Sequence, residues 1–157
     1  MQIRVNVNAA IVRDGKILLI EFNDATGRHL NFPGGGIDPG ESMTDVLTRE
    51  CREEANAEVQ VGRLLLVWEY LPEKLGYKFG TRPKIGLVYE CRLAEGSDPK
   101  LPMKPHLHQS GVKWVPLEDL EAGVSGAKKC PILPKIGLAL LVALRDPHTS
   151  AQVLQDI

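Results

Sequence analysis

Glu50, Glu53 and Glu54 crowd three carboxylates into one short stretch of chain, and their spacing determines what chemistry they can do. On a helical wheel of about 100° per residue, Glu50 and Glu54 are i, i+4 neighbours with Glu53 beside them. Met43, Leu47, Cys51 and Ala55 form an apolar stripe on the same wheel, and Glu50 falls between Met43 and Val46, toward the protein interior. Like charges so placed repel by about 0.2–0.5 kcal/mol per pair on an exposed helix, and by more where water is scarce. Arg49 and Arg52 supply part of the compensation. A cluster of hard oxygen ligands beside a glycine loop is also how a protein holds Mg²⁺ or Mn²⁺. The plain alternative is a solvated acidic face, because Glu is a good surface helix former. Gly34-Gly35-Gly36, ahead of Asp38-Pro39-Gly40-Glu41, favours the metal. Such a backbone turns sharply, approaches a ligand closely and leaves a carbonyl free.

These residues must be held by a scaffold. Ile3, Val5, Val7, Ala9 and Ile11 alternate before Asp14-Gly15, and Ile17 to Phe22 follow it, which predicts a hairpin. Asn23 to His29 and Asn31 to Gly40 read as loops. Ser42 and Asp45 are spaced to cap a helix that runs to about Asn56, where Asn can adopt the left-handed turn that ends it. Strands are predicted at Val59 to Tyr70, Ile85 to Leu93 and Val112 to Val115, with a loop from Leu71 to Lys84. A short helical turn at Leu117 to Leu120 and a C-terminal helix at Ile136 to Leu144, after Pro134, complete the reading. The sum is one mixed-sheet α/β domain over residues 1–157, flanked by helices.

Gly35, Glu41 and the run Arg49-Glu50-Cys51-Arg52-Glu53-Glu54-Ala55-Asn56-Ala57 resemble the Nudix box, GX5EX7REUXEEXGU with U aliphatic. The Gly, Glu and Arg positions through the EE pair all match at the correct spacing. Asn56 stands for the late glycine, Ala57 for a larger aliphatic residue and Cys51 for the inner U. Phe32-Pro33-Gly34-Gly35 before the box and Trp114-Val115-Pro116-Leu117 before Glu118-Asp119-Leu120 extend the likeness over most of the chain. The resemblance implies a Nudix-type α/β/α sandwich with a central mixed β-sheet, and hydrolysis of a nucleoside diphosphate linked to another moiety. It implies metal ligation by Glu50, Glu53, Glu54 and the Gly35 carbonyl, with Glu50, Glu53 and Arg49 as the catalytic set. Glu41 is expected to hold Arg49 as a structural partner.

Relatives of this family often carry another acid shortly before the Trp-Val-Pro run. Here His106 to Lys113 contains no carboxylate, which leaves the general base open among His106, His108, Glu50, Glu53, Glu69 and Glu73. Lys74, Lys78, Arg82 and Lys84, with Tyr77 and Phe79 interleaved, make the 71–84 loop a candidate to grip phosphate and a base, and Arg28 and His29 lie ahead of the box. The expected substrate is a nucleoside di- or triphosphate or a nucleoside diphosphate derivative. ADP-ribose or a nucleotide sugar is the alternative within that class, and Pro72, fifteen residues beyond Ala57, has the spacing of ADP-ribose-cleaving relatives. A non-catalytic nucleotide-binding module and an isomerase-like relative acting on isopentenyl diphosphate are the readings outside hydrolysis.

The 157 residues are 43% apolar and 25% charged, a globular average that excludes a disordered or collagen-like chain. A net charge of −1 argues against nucleic acid as a partner and against base-free polyphosphates as preferred substrates. Cys51, Cys91 and Cys130 stand far apart without CxxC spacing, as suits a reducing compartment. The N-terminal stretch alternates and carries Arg4, unlike a signal peptide, and no run reaches the ~18 apolar residues of a membrane span. A cytoplasmic protein without a membrane partner is therefore expected, with a homodimer left open.

Overall fold

The computed structural model describes residues 2–155. β1 (Arg4–Arg13) is the axis of the sheet and is bonded along both edges. On one edge it runs parallel to β6 (Lys84–Leu93), from Arg4 opposite Lys84 to Ile11 opposite Cys91. On the other edge Asn6 to Asn8 pair with β4 (Gly34–Gly36), and beyond them Val12 and Arg13 turn into β2 (Lys16–Asp24). β5 (Val59–Tyr70) extends the sheet outside β6, and β10 (Gln152–Leu154) lies parallel to β5 at Leu66 to Trp68. β2 carries β7 (Gln109–Pro116) on one edge and β3 (Gly27–Asn31) on the other. β9 (Cys130–Leu133) lies parallel to β3 and pairs with β8 (Val124–Ser125).

Alternation along β1 and β2 divides the core between the two sheet faces. Val7, Ala9, Ile11, Leu18 and Ile20 meet Val46, Leu47, Cys51 and Ala55 of α1 (Met43–Ala55). Ala10, Ile17 and Leu19, on the opposite face, pack with Leu120 of α2 (Asp119–Ala122) and with Leu140 and Leu141 of α3 (Gly137–Arg145). Helices thus cover both faces, giving the expected α/β/α sandwich. A Cβ on Gly137 would lie 2.0 Å from the Leu120 carbonyl oxygen, so glycine lets α3 close onto α2. No helix among the described residues is long and apolar enough to cross a membrane.

Several sequence expectations are corrected. Asn23 to His29 is not a loop: β2 and β3 form a hairpin through it, because Asp24 Oδ1 accepts from the Thr26 N–H at 2.8 Å and its O–H at 2.6 Å. The three glycines at 34–36 form a short strand, since a Cβ at Gly34 would lie 2.0 Å from the Val7 carbonyl oxygen and glycine alone permits that approach. Met43 is 41% exposed and leaves the apolar stripe, which is completed by Val46. Ser42 and Asp45 form a full capping box, as their spacing predicts.

Asn56 ends α1 at φ 51°, ψ 35°, and the Asn56 and Ala57 amides donate back to the Arg52 and Cys51 carbonyls. Replacing Asn56 by glycine should be neutral or raise stability by up to about 1 kcal/mol, while Asn56→Val should lower it by at least about 1 kcal/mol. Thermal unfolding of the pair checks this. A valine variant as stable as the parent would contradict the left-handed cap.

Candidate active site

Two of the three clustered carboxylates are inside the protein. Glu50 is 7% exposed and Glu54 5%, whereas the Glu53 side chain is 45% exposed. Burial places Glu50 and Glu54 against the glycine strand. The Gly34 N–H donates to Glu54 Oε2 at 2.9 Å, and a Cβ on Gly35 would lie 2.2 Å from Glu50 Oε1. Glycine at 35 is therefore what lets the Glu50 carboxylate lie against the backbone.

Arg49 organises the rest. Its Nε and Nη2 donate to the two oxygens of Glu41 at 2.6 and 2.9 Å, a bidentate grip. Its Nη1 reaches Glu50 Oε1 at 2.7 Å and Glu53 Oε2 at 3.4 Å. Glu41 also accepts from the Asp38 N–H at 3.1 Å, so this carboxylate ties the loop to the helix through Arg49. Those bonds hold the Glu41 carboxyl below its ordinary range. Arg52 does not serve the cluster; it pairs outward with Glu58 at 2.8 Å.

Glu54 receives little compensation. Its burial, followed by the nearby charges of Glu50 and Glu53, pushes its carboxyl up to about 8 despite the Gly34 hydrogen bond that opposes the shift. His106 lies close to it, with Nδ1 3.7 Å from Glu54 Oε1. His106 Nε2 stands 3.5 Å from Glu53 Oε2, and ligand atoms of Glu50, Glu53 and His106 all fall within 4.8 Å of one another. The sequence named His106 only as one base candidate. What fixes its place is Gln109, a buried side chain that donates to the Glu54 carbonyl at 2.6 Å and accepts from the His106 N–H at 3.2 Å.

A cavity of about 650 Å³ opens beside Gly34, Gly35 and Glu54. Trp68, Tyr70 and Phe79 wall it, and Arg4, Lys78, Lys84 and Lys135 supply positive charge. Trp68 packs closely on a glycine, since a Cβ on Gly86 would be 1.9 Å from its ring. The Tyr70 hydroxyl pins the 71–84 loop by accepting from the Phe79 N–H at 3.0 Å and donating to the Gly80 carbonyl at 2.8 Å. Arg4 rests against the glycine strand, where a Cβ on Gly36 would lie 2.9 Å from its Nε. Burial, and then the charge of Arg4, lowers the Lys84 ammonium below its usual range. Asn8 Oδ1, Asn31 Oδ1 and Trp68 Nε1 are buried without a hydrogen-bond partner, and all three residues line this cavity.

The sequence-derived binding residues divide. Lys78 and Phe79 line the cavity. Tyr77 is 53% exposed and Arg82 is exposed, and neither lines it. Arg28 forms an ion pair with Glu21 and borders an adjoining cavity of about 630 Å³ that shares Lys78, Phe79 and Lys135 with the first. Lys84, at the end of the expected binding loop, also lines the cavity, whereas Arg4 and Trp68 sit in strand patterns that read as scaffold and are binding candidates only in the folded chain. Their signal is in the register, which aligns Arg4 with Lys84 and Trp68 with Gly86.

The family model described as NUDIX domain matches residues 2–134, and the chain belongs to the Nudix hydrolase family. The CTP pyrophosphohydrolase of Escherichia coli is 45% identical over 62 residues, which are 37% of this chain and 45% of that protein. The chain therefore matches under half the length of that relative. An ADP-ribose pyrophosphatase from Streptococcus suis is similar in structure, with a TM-score of 0.67, 24% identity, and coverage of 97% of this chain and 99% of the other. A MutT Nudix hydrolase from Burkholderia pseudomallei gives a TM-score of 0.65, 26% identity, and coverage of 89% and 97%.

The raised Glu54 carboxyl has a stability consequence. A carboxyl whose folded value lies above its unfolded value near 4.5 stabilises the fold while protonated, and that stabilisation is lost as pH rises toward 8. Without divalent ions, Glu54→Gln should therefore unfold a few degrees above the parent at pH 9, with the gap closing toward pH 5. Thermal melts in EDTA at both pH values check this, and an unchanged or lower midpoint for the variant at pH 9 would contradict it.

Proposed function

We propose that the chain is a divalent-metal-dependent hydrolase of phosphoanhydride bonds in nucleotides. The observation that carries this reading is the buried, uncompensated Glu54 meeting a glycine strand at the mouth of a cavity with aromatic walls and cationic side chains. The donors fit Mg²⁺ or Mn²⁺: carboxylates of Glu50, Glu53 and Glu54 with the Gly35 carbonyl form a hard oxygen set. A cation there would also offset the repulsion that Arg49 only partly relieves.

When bound, such an ion neutralises pyrophosphate oxygens and makes a nearby water more acidic. The protein does the remaining work. Arg4 and Lys84 grip phosphate oxygens, while Trp68 and Phe79 offer ring faces to a base. Arg49 fixes the Glu50 and Glu53 carboxylates through its Nη1. Glu53, the most exposed of the three, would take the proton of the attacking water on the carboxylate oxygen that does not ligate the ion. Water then bonds to one phosphorus as the bridging oxygen leaves with the other phosphate, without a covalent enzyme intermediate.

The substrate class follows from the cavity. A nucleoside di- or triphosphate supplies both charge and ring. The adjoining space, bordered by Arg28 and His29, favours a second reading within the class, a nucleoside diphosphate joined to a further group such as a sugar. That arrangement is the one cleaved by an ADP-ribose or nucleotide-sugar pyrophosphatase.

Glu54→Gln should lower kcat by on the order of 10² or more, because it removes charge that is needed in the transition state. Glu58→Gln is the control, since Glu58 pairs outward with Arg52. Equal losses in the two variants would refute the site, as would full turnover in excess EDTA. Across a panel of nucleoside di- and triphosphates, ADP-ribose, nucleotide sugars and inorganic polyphosphate, kcat/KM should favour substrates with a base. Phe79→Ala should raise KM for those substrates, whereas Tyr77→Ala should leave it unchanged. Preference for polyphosphate, or equal effects at 77 and 79, would overturn the assignment of the cavity.

A further inference from the structure

We propose that His106 supplies one imidazole nitrogen to the divalent ion held by the acidic flank of α1. The inference rests on the metal-dependent reading above and adds to it a ligand that is not part of the helix or the glycine strand.

His106 is brought to the cluster by a specific brace. The Gln109 side chain bridges the Glu54 carbonyl and the His106 N–H, so the loop residue is fixed relative to the same turn of α1 that carries Glu53 and Glu54. The brace is buried, with Gln109 8% exposed. His108, two residues on, has φ 66° and its carbonyl accepts from the Asn23 N–H; it is not among the grouped donors.

The separations suit a shared ion better than direct bonds. The pair that bears on the ion is His106 Nε2 and Glu53 Oε2, 3.5 Å apart and longer than a sound hydrogen bond, while the other ring nitrogen, Nδ1, lies 3.7 Å from Glu54 Oε1 and points away from that ion. Two donors each about 2.1 Å from one ion stand about 3.0 Å apart when adjacent and about 4.2 Å apart when opposite. The grouped atoms of Glu50, Glu53 and His106 lie within 4.8 Å of each other, so small side-chain adjustments close the shell.

A nitrogen in the shell changes which ion is preferred. Mg²⁺ favours oxygen ligands and keeps its waters, whereas an imidazole is better received by Mn²⁺ and later transition ions. The site should therefore bind Mn²⁺ more tightly than Mg²⁺, and His106 should account for much of the difference.

The test is pulsed EPR on the Mn²⁺-loaded full chain. Electron-spin-echo modulation from a directly bound ¹⁴N is expected, converting to the ¹⁵N pattern when the unmutated protein is grown with ¹⁵N-histidine. His106→Gln should abolish the signal and weaken Mn²⁺ binding at least about tenfold, with a smaller change for Mg²⁺, while His108→Gln keeps the signal. Bound Mn²⁺ that is lost in Glu54→Gln yet shows no nitrogen coupling would overturn the role of His106 and leave the metal site standing. Absence of any Glu54-dependent Mn²⁺ binding would overturn both. The labelled, unmutated chain decides the ligand question even if His106→Gln folds poorly.

Discussion

Glu50 and Glu54 stand one turn apart on the inner side of α1, and their mutual repulsion in a poorly solvated place shapes what surrounds them. Like charges one turn apart already disfavour an exposed helix, and burial strengthens the effect. The chain answers with Arg49, held in turn by both oxygens of Glu41, and with the Gly34 amide on Glu54. These partners stabilise Glu50 more than Glu54, whose carboxyl remains displaced upward to about 8. That shortfall of positive charge is what the proposed divalent cation would supply.

The same constraint explains the glycines and the sheet. Carboxylates can lie against β4 because Gly35 has no side chain to obstruct Glu50, and β4 can join β1 because Gly34 has none to strike Val7. β1 in turn runs beside β6, which puts Arg4 next to Lys84 and brings both to the cavity. β5 adds Trp68 over Gly86 and Tyr70, whose hydroxyl holds the loop that presents Lys78 and Phe79. The acidic end and the aromatic end of the cavity are thus two consequences of one strand order.

Much of this was legible in the chain alone where a single element carried the signal. The helical wheel put Glu50 toward the interior with Glu54 one turn on, and Ser42, Asp45 and Asn56 marked the ends of α1. Features that depend on two distant segments were not legible. Trp68 reads as one more apolar strand residue until β6 is seen to bring Gly86 beneath it, and Gln109 reads as a polar residue before a strand until its amide is seen on Glu54. Tyr77 and Arg82 had the right chemistry for a binding loop, but Tyr70 fixes that loop so that Lys78 and Phe79 face the cavity instead. Asn23 to His29 was hidden for a different reason: a polar hairpin held by Asp24 and Thr26 lacks the apolar alternation that announces a strand.

The flank of α1 and the glycine strand are proposed to hold a divalent cation together. Anomalous diffraction at the manganese edge, from crystals of the protein soaked in Mn²⁺, tests it most directly. The expected result is an anomalous peak bounded by the carboxylates of Glu50, Glu53 and Glu54 and the Gly35 carbonyl. A peak only elsewhere on the surface, or none at saturating Mn²⁺, would contradict it.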